Sequence, residues 1–315
     1  MGLIANAVRQ GTLAAFDAIE NMQYPHSCDV DMLIVGAGPA GLAMACVAAS
    51  KKINYLVIEQ NSFGGTINNF PRGKLVMNRP CDFYGYGKTK FSSHRVSKES
   101  LLHTWYDIKS KMNLDISEQT KFLGLIKEND HFKINTDDGI LTAQKVMLAM
   151  GVGGSPRKLG LKNEDSEKVS YRLIDAADFQ NMNIAIVGGG NSALEAAQYL
   201  SDSKYKNRVT LLVRKDMRKA NQINQDLVTK IANKGRLRII YNAAITAIEK
   251  DKIEIKYGRK STVLLNDHIF VFAGTVMPWD FLTSLGIKIE IKRGESNKWD
   301  YTPEEDHNRY KVINI

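Results

Sequence analysis

The run from Leu3 to Met22 puts Ile4, Val8, Leu13, Phe16, Ile19 and Met22 at mostly three-to-four spacing, the period of one amphipathic helix. An apolar strand, Asp31 to Val35, follows, then a glycine turn, a helical run from about Pro39 to Lys52 and a second strand, Tyr55 to Glu59. That order is a βαβ unit. It returns as the strand Asn183 to Val187, the turn Gly188 to Gly190, a helix from about Ser192 to Ser201 and the strand Arg208 to Val213, 152 positions on when counted from Gly36 to Gly188. Between the two units, Phe122 to Lys127, Phe132 to Asn135 and Val146 to Met150 read as short strands, with turn residues at Glu128 to His131 and at Asp137-Asp138-Gly139. After the second unit, Arg236 to Tyr241, Ala244 to Lys250, Lys252 to Tyr257 and His268 to Phe272 have the same look. The pattern predicts an α/β chain of two Rossmann-like three-layer domains, each a parallel core carrying a small antiparallel β insertion.

Composition narrows the classes. The 315 residues are 43% hydrophobic and 24% charged, enough for about two domains with real cores and far from a disordered or fibrous chain. Cys28, Cys46 and Cys81 share no C-x-x-C spacing and are too few for a disulfide framework, which points to a reducing, cytoplasmic setting. The net charge of +9 suits an anionic partner, but lysine is spread along the chain without a basic tract, so nucleic acid is not expected. No apolar run reaches 18 residues, so no transmembrane segment is expected. The first helix is expected to pack on the body of the protein; a peripheral or protein-docking role for residues 3–22 is the sharper alternative. The six histidines show no ligand spacing, and no metal is expected.

The two glycine turns carry the chemistry. Gly36-Ala37-Gly38-Pro39-Ala40-Gly41 lies between a strand and a helix. Its first glycine allows the tight turn, the second lets the backbone approach a pyrophosphate, and the third lets helix and strand pack closely, while the helix start offers free N–H groups to the phosphate. Glu59, 21 residues beyond Gly38 and followed by Gln60, stands where a carboxylate accepts hydrogen bonds from an adenosine ribose. The second turn, Gly188-Gly189-Gly190-Asn191-Ser192-Ala193, has alanine at the third position, and its following strand ends in Arg214-Lys215-Asp216-Met217-Arg218-Lys219 rather than in an acid. Arg214 can pair bidentately with a 2′-phosphate, and Lys215 or Arg218 can add charge, which favours NADPH over NADH. An acid-ended site suits FAD and a base-ended site NADPH, so the pair implies a hydride relay from one dinucleotide to the other.

These motifs resemble the thioredoxin-reductase-like branch of the pyridine nucleotide-disulphide oxidoreductases over roughly residues 30 to 290. The resemblance rests on Gly36 to Gly41, Glu59, Gly64-Gly65-Thr66, Ala149-Met150-Gly151, Gly188 to Ala193, the Arg214 to Ala220 loop, and Phe272-Ala273-Gly274. It implies an FAD domain split in sequence, residues 30–170 plus 286–315, with an NADPH domain, 171–285, inserted, and residues 1–29 as a helix and linker. By position it puts Gly64, Gly65 and Thr66 near the isoalloxazine, Gly151 near the flavin diphosphate, and Gly274 at the close of the NADPH domain. A homodimer is a further expectation.

Two departures follow from the same alignment of motifs. Where thioredoxin reductases carry a redox C-x-x-C, this chain has Val169 to Asp175, so thioredoxin reduction by the usual route is not expected. The Tyr171-Arg172-Leu173 and Gly64 to Pro71 stretches are similar to flavoproteins without that pair, including bacillithiol-disulphide-reductase-like proteins, whose first-loop cysteine is replaced here by Ala40. The family's last flavin motif, G-x-x-x-A-G-D, is missing after Gly274. Cys81, near the loop expected at the flavin edge, is a weak redox candidate. The expected activity is thus passage of a hydride from NADPH to FAD and onward to a small disulphide, a quinone or a partner carrier. The alternatives are a non-catalytic redox sensor or a truncated, inactive flavoprotein.

Overall fold

The computed structural model describes residues 4–24, 27–77, 79–91, 93, 95–151, 156–276 and 278–288. The charged stretch Glu290 to Asn308 and the expected position of the last flavin motif lie outside these residues.

Along the chain the elements are α1 (Ile4–Glu20), β1 (Val30–Val35), α2 (Pro39–Ser50), β2 (Tyr55–Glu59), β3 (Leu75–Met77), β4 (Asp82–Phe83), β5 (Gly87–Lys88), β6 (Arg95–Ser97), α3 (Lys98–Lys111), β7 (Ile116–Glu118), β8 (Phe122–Glu128), β9 (His131–Thr136) and β10 (Gly139–Leu148). The second half holds β11 (Val169–Ser170), β12 (Asn183–Val187), α4 (Asn191–Leu200), β13 (Arg208–Val213), α5 (Gln222–Asn233), β14 (Leu237–Tyr241), β15 (Ala243–Ile248), β16 (Lys252–Tyr257), β17 (Lys260–Leu265), β18 (His268–Val271) and α6 (Trp279–Ser284).

The first sheet has the order β7-β2-β1-β10-β9-β8. In its parallel part, β7-β2-β1-β10, the central strand β1 is buried on both faces: Met32, Leu33 and Ile34 are fully buried, as a strand covered on two sides must be. The second sheet repeats the plan as β14-β13-β12-β18, with β11 added beyond β18. Each sheet carries an antiparallel part: β8 and β9 fold back on β10 through the Asp137-Asp138-Gly139 turn, and β15-β16-β17 form a sheet of three.

α1 packs on α2. Val8, Ala15 and Ala18 are buried against it, and a methyl on Gly11 would overlap the Ala40 carbonyl oxygen. The apolar face of the helix is therefore used within the molecule. Phe281 and Leu285, at and just after α6, pack with Phe122 of the first sheet. Among the described residues no helix is long and apolar enough to cross a membrane.

Candidate functional site

At the first turn each glycine answers a separate steric demand. Gly36 has φ +106°, and a side-chain carbon there would lie 2.6 Å from the Ala149 carbonyl oxygen. A carbon on Gly41 would overlap the Gly36 carbonyl. Gly38 meets nothing within 4 Å, so its face is open to a ligand. The same division holds at the second turn: Gly188, at φ +144°, is pressed to 2.6 Å of the Phe272 carbonyl oxygen, whereas Gly190 faces open space. Ala193 takes the third position and is fully buried.

The helices that follow these turns differ from their neighbours in capping. α3 and α5 begin with side-chain caps, from Ser97 to the Ser100 N–H and from Asn221 to the Asn224 N–H. α2 and α4 begin at Gly38 and Gly190 with no side-chain cap, so their first N–H groups point into the open space left by those glycines. Pro39 opens α2, where a missing N–H costs nothing. Uncapped donors, a positive helix end and an absent Cβ together form a cradle for phosphate.

Glu59 is buried at the end of β2. One carboxylate oxygen accepts the Ala37 N–H at 2.9 Å and the other the Asn61 N–H at 3.0 Å. Each oxygen keeps a lone pair, so the carboxylate can still accept a ribose hydroxyl. Gln60 beside it is exposed. The Gly64 N–H donates to the Ala37 carbonyl at 3.1 Å, and a carbon on Gly65 would sit 3.1 Å from the Gly38 Cα. Thr66 is exposed on the same short helical turn. The Ala149 N–H donates to the Val35 carbonyl, and Gly151 follows at φ +60° with open space around it. Three segments far apart in sequence thus meet at one sheet edge, and this edge fits an adenine dinucleotide.

At the second edge Arg214 and Lys215 are exposed just past β13. Arg218 is tied down differently from the expectation of a ready phosphate ligand. Its guanidinium contacts Asp216 at 2.8 Å and 2.7 Å, and that pair holds the Asp216 carboxyl below its usual range, the hydrogen bonds from Arg218 being the main cause. Arg218 must exchange a carboxylate for a phosphate to bind one, while Arg214 need not. Asn191 is exposed but pinned, its side-chain oxygen accepting the Asn221 N–H at 2.8 Å and Asn224 Nδ2 at 3.1 Å. Ser192 beside it is exposed. Gly274, at φ +91°, stands beyond β18 as Gly151 stands beyond β10, with its carbonyl accepting the Arg157 N–H.

Cys81 does not have a nucleophile's surroundings. It is buried, its Sγ sits 3.3 Å from the Arg79 carbonyl, and burial pushes the thiol up to about 11. Such a thiol stays protonated at neutral pH. Burial pushes Cys46, on the buried face of α2, to about 12.

Sequence reasoning missed the contacts that join the two edges. Lys74 pairs with Glu195 of α4 at 2.7 Å, Arg72 with Asp175 at 3.0 Å, and Arg172 donates to the Asn69 side chain at 2.8 Å. The buried Lys98 ammonium donates to the Asn68 and Phe70 carbonyls and so braces this loop from below. No period or motif signals these pairs, because each partner is ordinary on its own element.

A family model described as pyridine nucleotide-disulphide oxidoreductase matches residues 33–312. A ferredoxin–NADP reductase from Ignicoccus hospitalis is 28% identical over 271 residues, 83% of each chain. A protein from Clostridium pasteurianum named for its place in a rubredoxin operon is 28% identical over 289 residues, 86% of this chain and 82% of the relative. Among solved structures, the bacillithiol disulfide reductase of Staphylococcus aureus superposes with a TM-score of 0.74 at 24% identity, covering 84% of this chain and 82% of that one. The thioredoxin reductase of Lactococcus lactis gives 0.67 at 24%, covering 83% of each.

Proposed function

Because the chain belongs to the pyridine nucleotide-disulphide oxidoreductase family and is a thioredoxin-reductase-like, NADPH-dependent flavoprotein oxidoreductase that uses FAD, we propose that its acceptor is a small iron–sulphur carrier protein of the ferredoxin class. The observation that carries this reading is the state of the three cysteines. Burial is the first cause that raises each thiol, and no two are spaced as a redox pair. No protein dithiol stands ready to relay electrons, so the acceptor must meet the flavin itself. Ala40 at the first-loop position speaks against a bacillithiol-type disulphide, and several curated relatives are named ferredoxin–NADP reductases. The net charge of +9 suits an acidic protein partner.

In this reading Gly38, the start of α2 and Glu59 hold the FAD pyrophosphate and ribose, with Gly64, Gly65, Thr66 and Gly151 lining the same edge. Gly190, Asn191 and Ser192 hold the NADPH pyrophosphate, and Arg214 with Lys215 binds the 2′-phosphate. FAD, when bound, supplies hydride acceptance from NADPH and release of electrons singly or in pairs. The residues contribute by orientation, with no acid or base required. The FAD unit takes the first sheet together with α6, and the NADPH unit takes β11 to β18. The pairing of β11 with β18 and the packing of α6 on the first sheet support these limits, which lie a few residues from breaks at 170 and 285. Three cysteines with no C-x-x-C spacing suit a reducing compartment, the cytoplasm.

The test is anaerobic turnover with NADPH and three acceptors: a ferredoxin, a bacillithiol or glutathione disulphide, and a quinone. We expect kcat/KM for ferredoxin to exceed that for either disulphide by about a hundredfold or more. Faster disulphide reduction would overturn the assignment of the acceptor.

A further inference from the structure

The second sheet has two ends. The carboxyl ends of β12 and β13 lead into the glycine turn and the Arg214 loop; the amino ends of β13 and β14, about 20 Å away at ~3.3 Å per residue, border a separate cleft of about 500 Å3. This cleft is strongly cationic. Lys206, Arg208, Arg236 and Arg238 all line it, and none of the four takes part in an ion pair among the described residues.

Register explains the clustering. Thr210 is opposite Arg238 and Val209 opposite Leu237, so with a period of two Arg208, Arg236 and Arg238 share one face while Val209 and Leu237 turn into the core. Three like charges on adjacent strands repel, and nothing in their own sheet offsets that repulsion. The one carboxylate in the cleft, Asp202, is already engaged: one oxygen caps the turn at the Lys204 N–H, 3.1 Å away, and the other lies 3.6 Å from the Lys204 ammonium.

A second observation is independent of charge. Ser201, at the end of α4 and only 4% exposed, borders the same cleft, and its buried hydroxyl has no hydrogen-bond partner among the described residues. A buried hydroxyl without a partner is costly, and an acceptor atom reaching it from the cleft would remove that cost. The cleft is open, and its volume falls within the range of small-ligand sites.

We propose that this cleft binds a small anion carrying two or more phosphate groups, with Arg208, Arg236 and Arg238 paired to phosphate oxygens and the Ser201 hydroxyl donating to one of them. Guanidinium groups pair with phosphate in two parallel hydrogen bonds, and three of them around one concavity match several phosphates better than a single carboxylate. The site is distinct from the NADPH edge, because the length of β13 separates them.

The test is calorimetric titration of the full chain with inorganic tripolyphosphate at fixed ionic strength, repeated with saturating NADP+. Binding is expected in both conditions, and more weakly for inorganic phosphate. The double variant Arg236→Gln/Arg238→Gln is expected to weaken it at least about tenfold, and Ser201→Ala about threefold. Arg259→Gln, on an exposed turn outside the cleft, is expected to leave it unchanged. Competition by NADP+, equal binding by the double variant, or binding of an acidic protein or an oligonucleotide but not of tripolyphosphate would overturn the proposal. The flavin-to-protein ratio and melting temperature of each variant confirm that it is folded.

Discussion

Gly38 and Gly41 are three residues apart and demand opposite things of their missing side chains. One faces open space and the other the carbonyl of Gly36. Gly41→Ala is therefore expected to destabilise the fold by about 3 kcal/mol through overpacking. Gly38→Ala is expected to cost within about 1 kcal/mol while sharply lowering the flavin-to-protein ratio after purification. Thermal denaturation and the absorbance ratio separate the two; equal melting temperatures would contradict the steric assignment. At the other edge, Arg214 is exposed while Arg218 is held by Asp216. Arg214→Gln is expected to lower kcat/KM for NADPH about tenfold to a hundredfold and to leave NADH within about twofold. A parallel loss with both nucleotides would mean that Arg214 does not read the 2′-phosphate.

The connection and the strands it meets have their own signature at the scale of the element. His268 of β18 lies against Phe179 and Phe270 with its Nε2 2.9 Å from the Ser170 hydroxyl of β11. Burial, with the nearby Lys168 ammonium second, pushes its pKa down to about 4 from the usual 6.5. The folded chain thus prefers the neutral ring, and protonation favours unfolding. This contribution is whole above pH 6.5 and is lost as pH falls toward 4, up to about 3 kcal/mol. Urea midpoints of the wild type and His268→Gln between pH 7 and 4.5 are expected to converge as pH falls. Parallel profiles would remove His268 as the cause. Elements of this kind were unevenly legible in the sequence. Both βαβ units were read nearly to the residue because apolar runs end at glycines. β10 was read only over its last part, since its first residues form a hairpin whose exposed Ile140 breaks the apolar run. β17 and α5 were missed although Gly258-Arg259 is a turn signal and Asn221 a cap, and β7, at three residues, is too short to show a period.

On the scale of the whole molecule, two sheets repeat one plan, and each brings a glycine turn, an uncapped helix start and a second glycine beyond a neighbouring strand to one edge. The turns and the contrast between Glu59 and Arg214 were legible from sequence because they are local. The buried Cys81 and the Lys74–Glu195 bridge between the units were not, since each depends on what a distant segment places nearby, and the Asp216–Arg218 pair, though local, depends on the turn that brings the two side chains together. The central claim is that one polypeptide holds two dinucleotides and passes reducing equivalents between them. Its most direct test is the visible absorption spectrum of the purified protein, recorded without oxygen before and after one equivalent of NADPH. A flavin band that bleaches on mixing, and does so far more slowly with NADH, is the expected result. A bound flavin that NADPH leaves oxidised, or a colourless protein that takes up no FAD, would contradict it.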